Sequence, residues 1–246
     1  MSEIRIDPLS GDQTIIAAQR AKRPDDFKNL DGSSQKCPFC IGNEFMTPAT
    51  IFELKQGDKW VVRVTDNKYP FVDAKTKNFE KDSFYENMPA EGVHEVLIDT
   101  PNHNEKIKDF SLEHMQKVLW VLQQRQIEIE KRENIKYVQI FKNDGVKAGA
   151  SKEHSHWQIV GLPIIPQRQI KLYEQNNRYF EEKRVCGYCD IIKHELKENK
   201  RIITQNSDFV AFTPYASKYP YEMWIMPVEH CQSIIEFDNQ KLKSLS

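Results

Sequence analysis

The chain has 246 residues, enough for one large domain or two small ones, each able to bury a core. Its 35 Lys and Arg stand against 36 Asp and Glu, so no basic surplus speaks for nucleic acid as a partner. No apolar run approaches the roughly 20 residues that cross a bilayer, and residues 1–8 lack the apolar centre of a signal peptide; no membrane partner and a cytoplasmic location are expected.

In chain order, Ile4 and Ile6 open an extended entry, and residues 14–18 read as a strand. Arg20-Ala-Lys-Arg23-Pro24 is a basic cluster ahead of a polar linker containing Gly and Ser. The knuckle Cys37-Pro-Phe-Cys40 follows, then strand-like runs at 49–54 and 60–64, a turn-rich excursion over 72–88, and a strand at 93–99. From Ser111 the period changes. Leu112, Met115, Val118, Leu119, Leu122 and Ile129 recur at three- and four-residue steps, which predicts an amphipathic helix of roughly twenty residues capped by Ser111. A strand at 137–142 leads into the turn Asn143-Asp144-Gly145. The run Ser151 to Gln158 then reads as a strand entered from a loop, with His154, His156 and Gln158 sharing one face. A charged helical stretch at 169–183 precedes a second knuckle, Cys186-x-x-Cys189.

The second half repeats the order and spacing of the first. Cys37 and Cys40 answer to Cys186 and Cys189, and Lys68-Tyr69-Pro70 to Lys218-Tyr219-Pro220. Glu95 precedes His103 by eight residues, as Glu222 precedes His230, and a Phe follows each histidine by seven, at Phe110 and Phe237. Shared order and spacing predict a duplicated α+β unit with an extra segment, 71–93, in the first copy. The second copy reaches Ser246 inside what would be its helix, so it is expected to be incomplete at the C-terminus.

Two Cys-x-x-Cys pairs in a reducing compartment point to metal knuckles rather than disulfides, because thiolates two residues apart grip one soft cation from a tight turn. For the first copy, Cys37, Cys40, His103 and His154 make a closed Zn2+ set of the structural type. In the second, Cys186, Cys189 and His230 supply only three ligands, and adjacent Cys231 is expected as a buried free thiol. With His154 on the metal, His156 is free to attack phosphorus and hold a phosphoramidate. Donors for phosphoryl oxygens are at hand in Gln158, Ser151, the backbone of 149–151, Arg20 and Arg23, while Asn143 can bond a ribose or a phosphate.

These motifs together, with Asn67-Lys-Tyr-Pro70, Pro101-Asn-His103, Phe141-Lys-Asn143-Asp-Gly145 and Pro227-Val-Glu-His230, cover nearly the whole chain. On them the chain resembles the galactose-1-phosphate uridylyltransferase family of the histidine-triad superfamily, which includes the related ADP-glucose phosphorylases. The resemblance implies two histidine-triad-like units, 1–168 with the zinc knuckle and active-site strand and 169–246 as a partial second unit, each a mainly antiparallel sheet with a packed helix. It implies an enzyme that moves a nucleoside monophosphate, UMP in the first reading, between a nucleotide sugar and hexose 1-phosphate, as in galactose metabolism, by a ping-pong mechanism. His156 would carry the nucleotide and Gln158 would stabilise it. Asn67, Asn143 and Ser151 would contact the nucleotide, Arg20 and Arg23 the phosphates, and the enzyme would be a homodimer. Ser155 stands where family members often carry proline, and Trp157 where they often carry a small residue. The serine and the second knuckle are reminiscent of the phosphorylase branch, whose acceptor is inorganic phosphate. A hydrolase, or a non-catalytic zinc-stapled nucleotide-binding protein, are the other readings.

Overall fold

Alternation of apolar and polar side chains along short strands, followed by one long amphipathic helix, dictates a sheet covered on one face. The computed structural model describes residues 2–23, 36–74 and 79–246. Pro24 of the basic cluster, the linker after it and part of the 72–88 excursion lie outside the described residues. The chain divides into two units, Met1–Gln167 and Arg168–Ser246. Each is built from antiparallel strands and helices, an α+β fold.

In the first unit, β1 (Ser2–Ile6), β2 (Gln13–Ala17) and β5 (Asn87–Pro89) form a small antiparallel sheet in the order β2-β1-β5. The larger sheet contains β3 (Thr50–Gln56), β4 (Lys59–Asp66), β6 (Val93–Ile98), β7 (Tyr137–Phe141) and β8 (His156–Leu162) in the order β3-β4-β6-β8-β7, antiparallel throughout. The expected strands at 14–18, 49–54, 60–64, 93–99 and 137–142 are found with their ends moved by one or two residues.

Helix α1 (Leu112–Glu130) starts where the sequence places it, with Ser111 Oγ accepting the His114 N–H at 3.1 Å. Its Val118, Val121, Leu122 and Ile129 are buried against Val62, Val64, Leu97 and Ile159 of β4, β6 and β8. Each such side chain, fully removed from water, contributes about 1.5–3 kcal/mol. A bidentate ion pair also ties helix to sheet: Arg125 Nε and Nη2 each donate at 2.8 Å to the buried Glu95 carboxylate. Gly161 permits the close crossing, since a Cβ there would lie 2.6 Å from Ile129 Cγ2. The register pairs Leu97 with Trp157 and Glu95 with Ile159 on the helix side. Ile98 with His156, and Val96 with Gln158, therefore face away from α1.

The second unit opens on α2 (Gln167–Lys183) and α3 (Gly187–Glu198), followed by β9 (Ile202–Gln205), β10 (Phe209–Phe212) and β11 (Trp224–Pro227) in the order β11-β10-β9. Ile192 and Leu196 of α3 pack on Ile202, Val210, Phe212, Trp224 and Met226. The packed helix thus precedes the strands here, whereas α1 follows β6 in the first unit. The chain reaches its last residues in α4 (Asn239–Leu245), capped by Asp238, whose Oδ1 accepts the Lys241 N–H at 2.7 Å. Among the described residues, no helix is long and apolar enough to cross a membrane.

Candidate active site

Between β7 and β8 the chain turns through a 3-10 segment, Val146–Ala148, and then Gly149 at φ 79°, a left-handed conformation that favours glycine. The ladder resumes only at His156. His154 is therefore not on the strand, as expected from the alternation, but in the bend before it. The reason is local: the His154 ring is drawn towards Cys37 and Cys40, and its Nε2–H donates to the Thr100 carbonyl at 2.8 Å. His156 and Gln158 keep the common face; His154 leaves it.

Cys37, Cys40, His103 and His154 bring one ligand atom each to within 4.8 Å of one another. His154 Nδ1 lies 3.6 Å from both sulfurs, and His103 Nδ1 lies 3.4 Å from Cys40 Sγ. In a tetrahedral site with metal–sulfur bonds of about 2.3 Å and metal–nitrogen bonds of about 2.0 Å, sulfur and nitrogen stand about 3.5 Å apart. The donor set therefore fits a tetrahedral soft cation with no open position. The Thr100 bond fixes the tautomer of His154, leaving Nδ1 as the ligand atom. Burial pushes the Cys37 thiol up to about 11 and the His154 imidazole down to about 4, so without a cation both groups are held neutral.

In the second unit Cys186, Cys189 and His230 cluster in the same way, with Cys189 Sγ 3.2 Å from His230 Nδ1. These three are half-buried or exposed. Cys231 is a free cysteine outside the cluster, and it is half-buried rather than buried.

On the first unit's pocket face, His156 is 9% exposed, and its Nδ1–H donates to the His154 carbonyl at 2.9 Å. That bond leaves the Nε2 lone pair unprotonated. Burial, with Lys142 nearby, holds the imidazole below its ordinary range and so neutral. Arg23, Asn67, Asn143, Ser151, His156 and Gln158 line one pocket, with Phe39, Met46, Pro48 and Val96 as its apolar wall. Phe39 lies against the His156 ring at 5.3 Å. Arg20 does not line it: its guanidinium donates to the Tyr69 carbonyl at 2.6 Å and lies over the Phe71 ring at 5.2 Å.

Three polar residues near the site, the buried Asp99 and His94 and the half-buried Lys142, escape sequence reasoning. Asp99 and Lys142 lie on the opposite side of β8, where Asp99 Oδ2 accepts from Lys142 Nζ at 2.9 Å, Ser155 Oγ at 2.9 Å and Trp157 Nε1 at 3.0 Å. His94, on β6, reaches Gln158. Its signal was a histidine followed by a glutamate inside a strand whose other residues are apolar; that of Asp99 and Lys142 was only that each ends a strand next to a motif.

A family model described as the galactose-1-phosphate uridyl transferase N-terminal domain matches residues 1–166. The ADP-glucose phosphorylase of Arabidopsis thaliana is 33% identical over 255 residues, covering 99% of this chain and 70% of that protein. A solved uridylyltransferase structure superposes with a TM-score of 0.82 at 29% identity, over 99% of this chain and 71% of the other. The structure of an Arabidopsis thaliana ADP-glucose phosphorylase with bound ADP-glucose gives 0.75 at 32% identity, over 100% and 74%. The chain therefore belongs to the galactose-1-phosphate uridyl transferase family, a family of nucleotidyltransferases.

Proposed function

We propose that the protein transfers a nucleoside monophosphate, UMP in the first instance, between a nucleotide sugar and hexose 1-phosphate through a covalent intermediate on His156. The observation that carries this is the tautomer of His156. With Nδ1–H donated to the His154 carbonyl, Nε2 keeps its lone pair, and His156 lines a pocket that also holds Gln158, Ser151 and Arg23. Nε2 attacks the α-phosphorus and forms a P–N bond; the P–O bond to the sugar phosphate breaks, and that oxygen leaves with the electron pair. Nδ1 keeps its proton, hydrogen-bonded to the His154 carbonyl, while the ring gains positive charge. A phosphate oxygen of the acceptor then attacks phosphorus, and Nε2 leaves with its lone pair. Gln158, Ser151 and Arg23 donate hydrogen bonds to the phosphoryl oxygens, and Asn67 and Asn143 hold the nucleoside side.

Two thiolates and two imidazoles at tetrahedral spacing select Zn2+ for the Cys37, Cys40, His103 and His154 set. Bound there it supplies a structural cross-link, and the three-ligand set at Cys186, Cys189 and His230 is a second candidate. A homodimer and a cytoplasmic location complete this reading.

A second reading shares the intermediate and changes the acceptor to inorganic phosphate; the 33% identity to an ADP-glucose phosphorylase favours it. One experiment tests both. The zinc-loaded protein is incubated with UDP-glucose or with ADP-glucose, without acceptor, and its intact mass is measured under conditions that preserve phosphoramidates. The expected result is a gain of one UMP that is absent in His156→Asn. A gain of AMP instead selects the phosphorylase reading. No adduct from either donor overturns the covalent mechanism.

A further inference from the structure

His94 lies on β6, one diagonal step from Gln158 on the pocket face, because Val96 pairs with Gln158 and His94 with Val160. It is 4% exposed and does not itself line the pocket. The Phe71 backbone N–H, which can only donate, points at its Nδ1 at 3.3 Å. Burial, reinforced by the charges of Arg20 and Arg23, pulls the imidazole down to about 3, so the ring is neutral and carries one proton. Nδ1 accepts, and the proton sits on Nε2. That Nε2 is 2.9 Å from Gln158 Oε1. Asn67 Nδ2 approaches the same nitrogen at 2.9 Å, while Asn67 Oδ1 accepts the Tyr69 N–H at 2.8 Å. Because Asn67 has only N–H groups to offer there, it makes no hydrogen bond to the protonated Nε2, and Gln158 Oε1 is the acceptor of that proton.

A carboxamide has a donor end and an acceptor end of nearly equal size, and the two exchange by a flip. Beside a phosphoryl oxygen, only the donor end is of use. We infer that His94 is a positioning residue: its Nε2–H holds Gln158 Oε1, so that the Gln158 NH2 is presented to the phosphoryl oxygens of the transferred nucleotide. This rests on the nucleotidyl-transfer reading above. Without His94 the Gln158 amide samples both orientations, and the incorrect one sets oxygen against oxygen.

The test is single-turnover formation of the nucleotidyl adduct from UDP-glucose or ADP-glucose, whichever labels the wild type. The variants are His94→Leu, Gln158→Leu and the double replacement, all metal-loaded. His94→Leu is expected to slow adduct formation at saturating donor about tenfold, with the half-saturating donor concentration little changed. In the Gln158→Leu background the same replacement adds nothing, because the group it positions is gone. His94→Gln, whose amide can still donate to Oε1, recovers most of the rate. Unchanged melting temperature identifies folded protein, and should His94→Leu fail to fold, His94→Ser is read in the same cycle. Equal slowing in both backgrounds, or none in the first, overturns the inference. A wild type that forms no adduct with either donor removes the nucleotidyl-transfer reading first and this one with it, so the two failures are told apart by the wild-type arm.

Discussion

Lys142 and Asp99 show what one ion pair, its carboxylate buried, does for the strand that carries the proposed nucleophile. Lys142 Nζ also donates to Ser155 Oγ at 2.5 Å, and Ser155 and Trp157 share Asp99 Oδ2, so the back of β8 is clamped at the two residues that flank His156. The clamp leaves Asp99 Oδ1 buried and, among the described residues, without a partner, so the carboxylate leans on Oδ2 for its compensation. Lys142→Met would strand that charge. It is expected to cost about 3–5 kcal/mol, read as a lower urea midpoint, while Asp99→Leu combined with Lys142→Met recovers most of the loss. A double variant as unstable as the single would show that packing, not charge, is at stake.

At the scale of elements, the long helix was the most legible part of the chain. Leu112 to Ile129 carries both the 3.6-residue period and a capping serine, and α1 follows them closely. The position of β8 was less legible. Alternation placed His154 on the strand, but alternation is a prior about backbone already in a sheet, and the pull of Cys37 and Cys40 acts from 117 and 114 residues away. For the same reason the four candidate metal ligands could be grouped from residue chemistry while their spatial order could not. Helix α3 had no expectation at all: its first turn holds Cys189 of the knuckle, and Tyr188, Ile191, Ile192 and Leu196 span only two steps of the helical period. The helix crossing itself is testable at Gly161. Gly161→Ala sets a methyl 2.6 Å from Ile129 Cγ2 and 3.2 Å from Ile135 Cδ1, both across the packed interface. The expected cost is about 1–3 kcal/mol, read as a drop in melting temperature with the nucleotidylation rate little changed. An unaltered melting temperature would mean that α1 yields freely.

For the whole molecule, the candidate metal cluster joins parts of the first unit that the chain keeps far apart: the 37–40 knuckle, His103 after β6, and His154 before β8. A chelator strong enough to strip the cluster is expected to lower the melting temperature and to loosen the turn at His154 first. The two units repeat the knuckle-and-histidine arrangement without repeating the environment, since the first cluster contains the buried His154 and the second is half-buried or exposed. Metal is therefore expected to leave the second cluster at the lower chelator concentration, a difference that metal analysis of partly stripped protein would read. His154 also does two jobs with two different atoms, lending its ring to the cluster and its carbonyl to the proposed nucleophile, His156. Whatever the nucleophile carries is therefore felt one residue pair away, in the coordination sphere. Loaded with cobalt(II), the cluster would serve as a built-in optical gauge of turnover, its visible bands shifting each time the neighbouring imidazole is charged with nucleotide and returning when it is discharged.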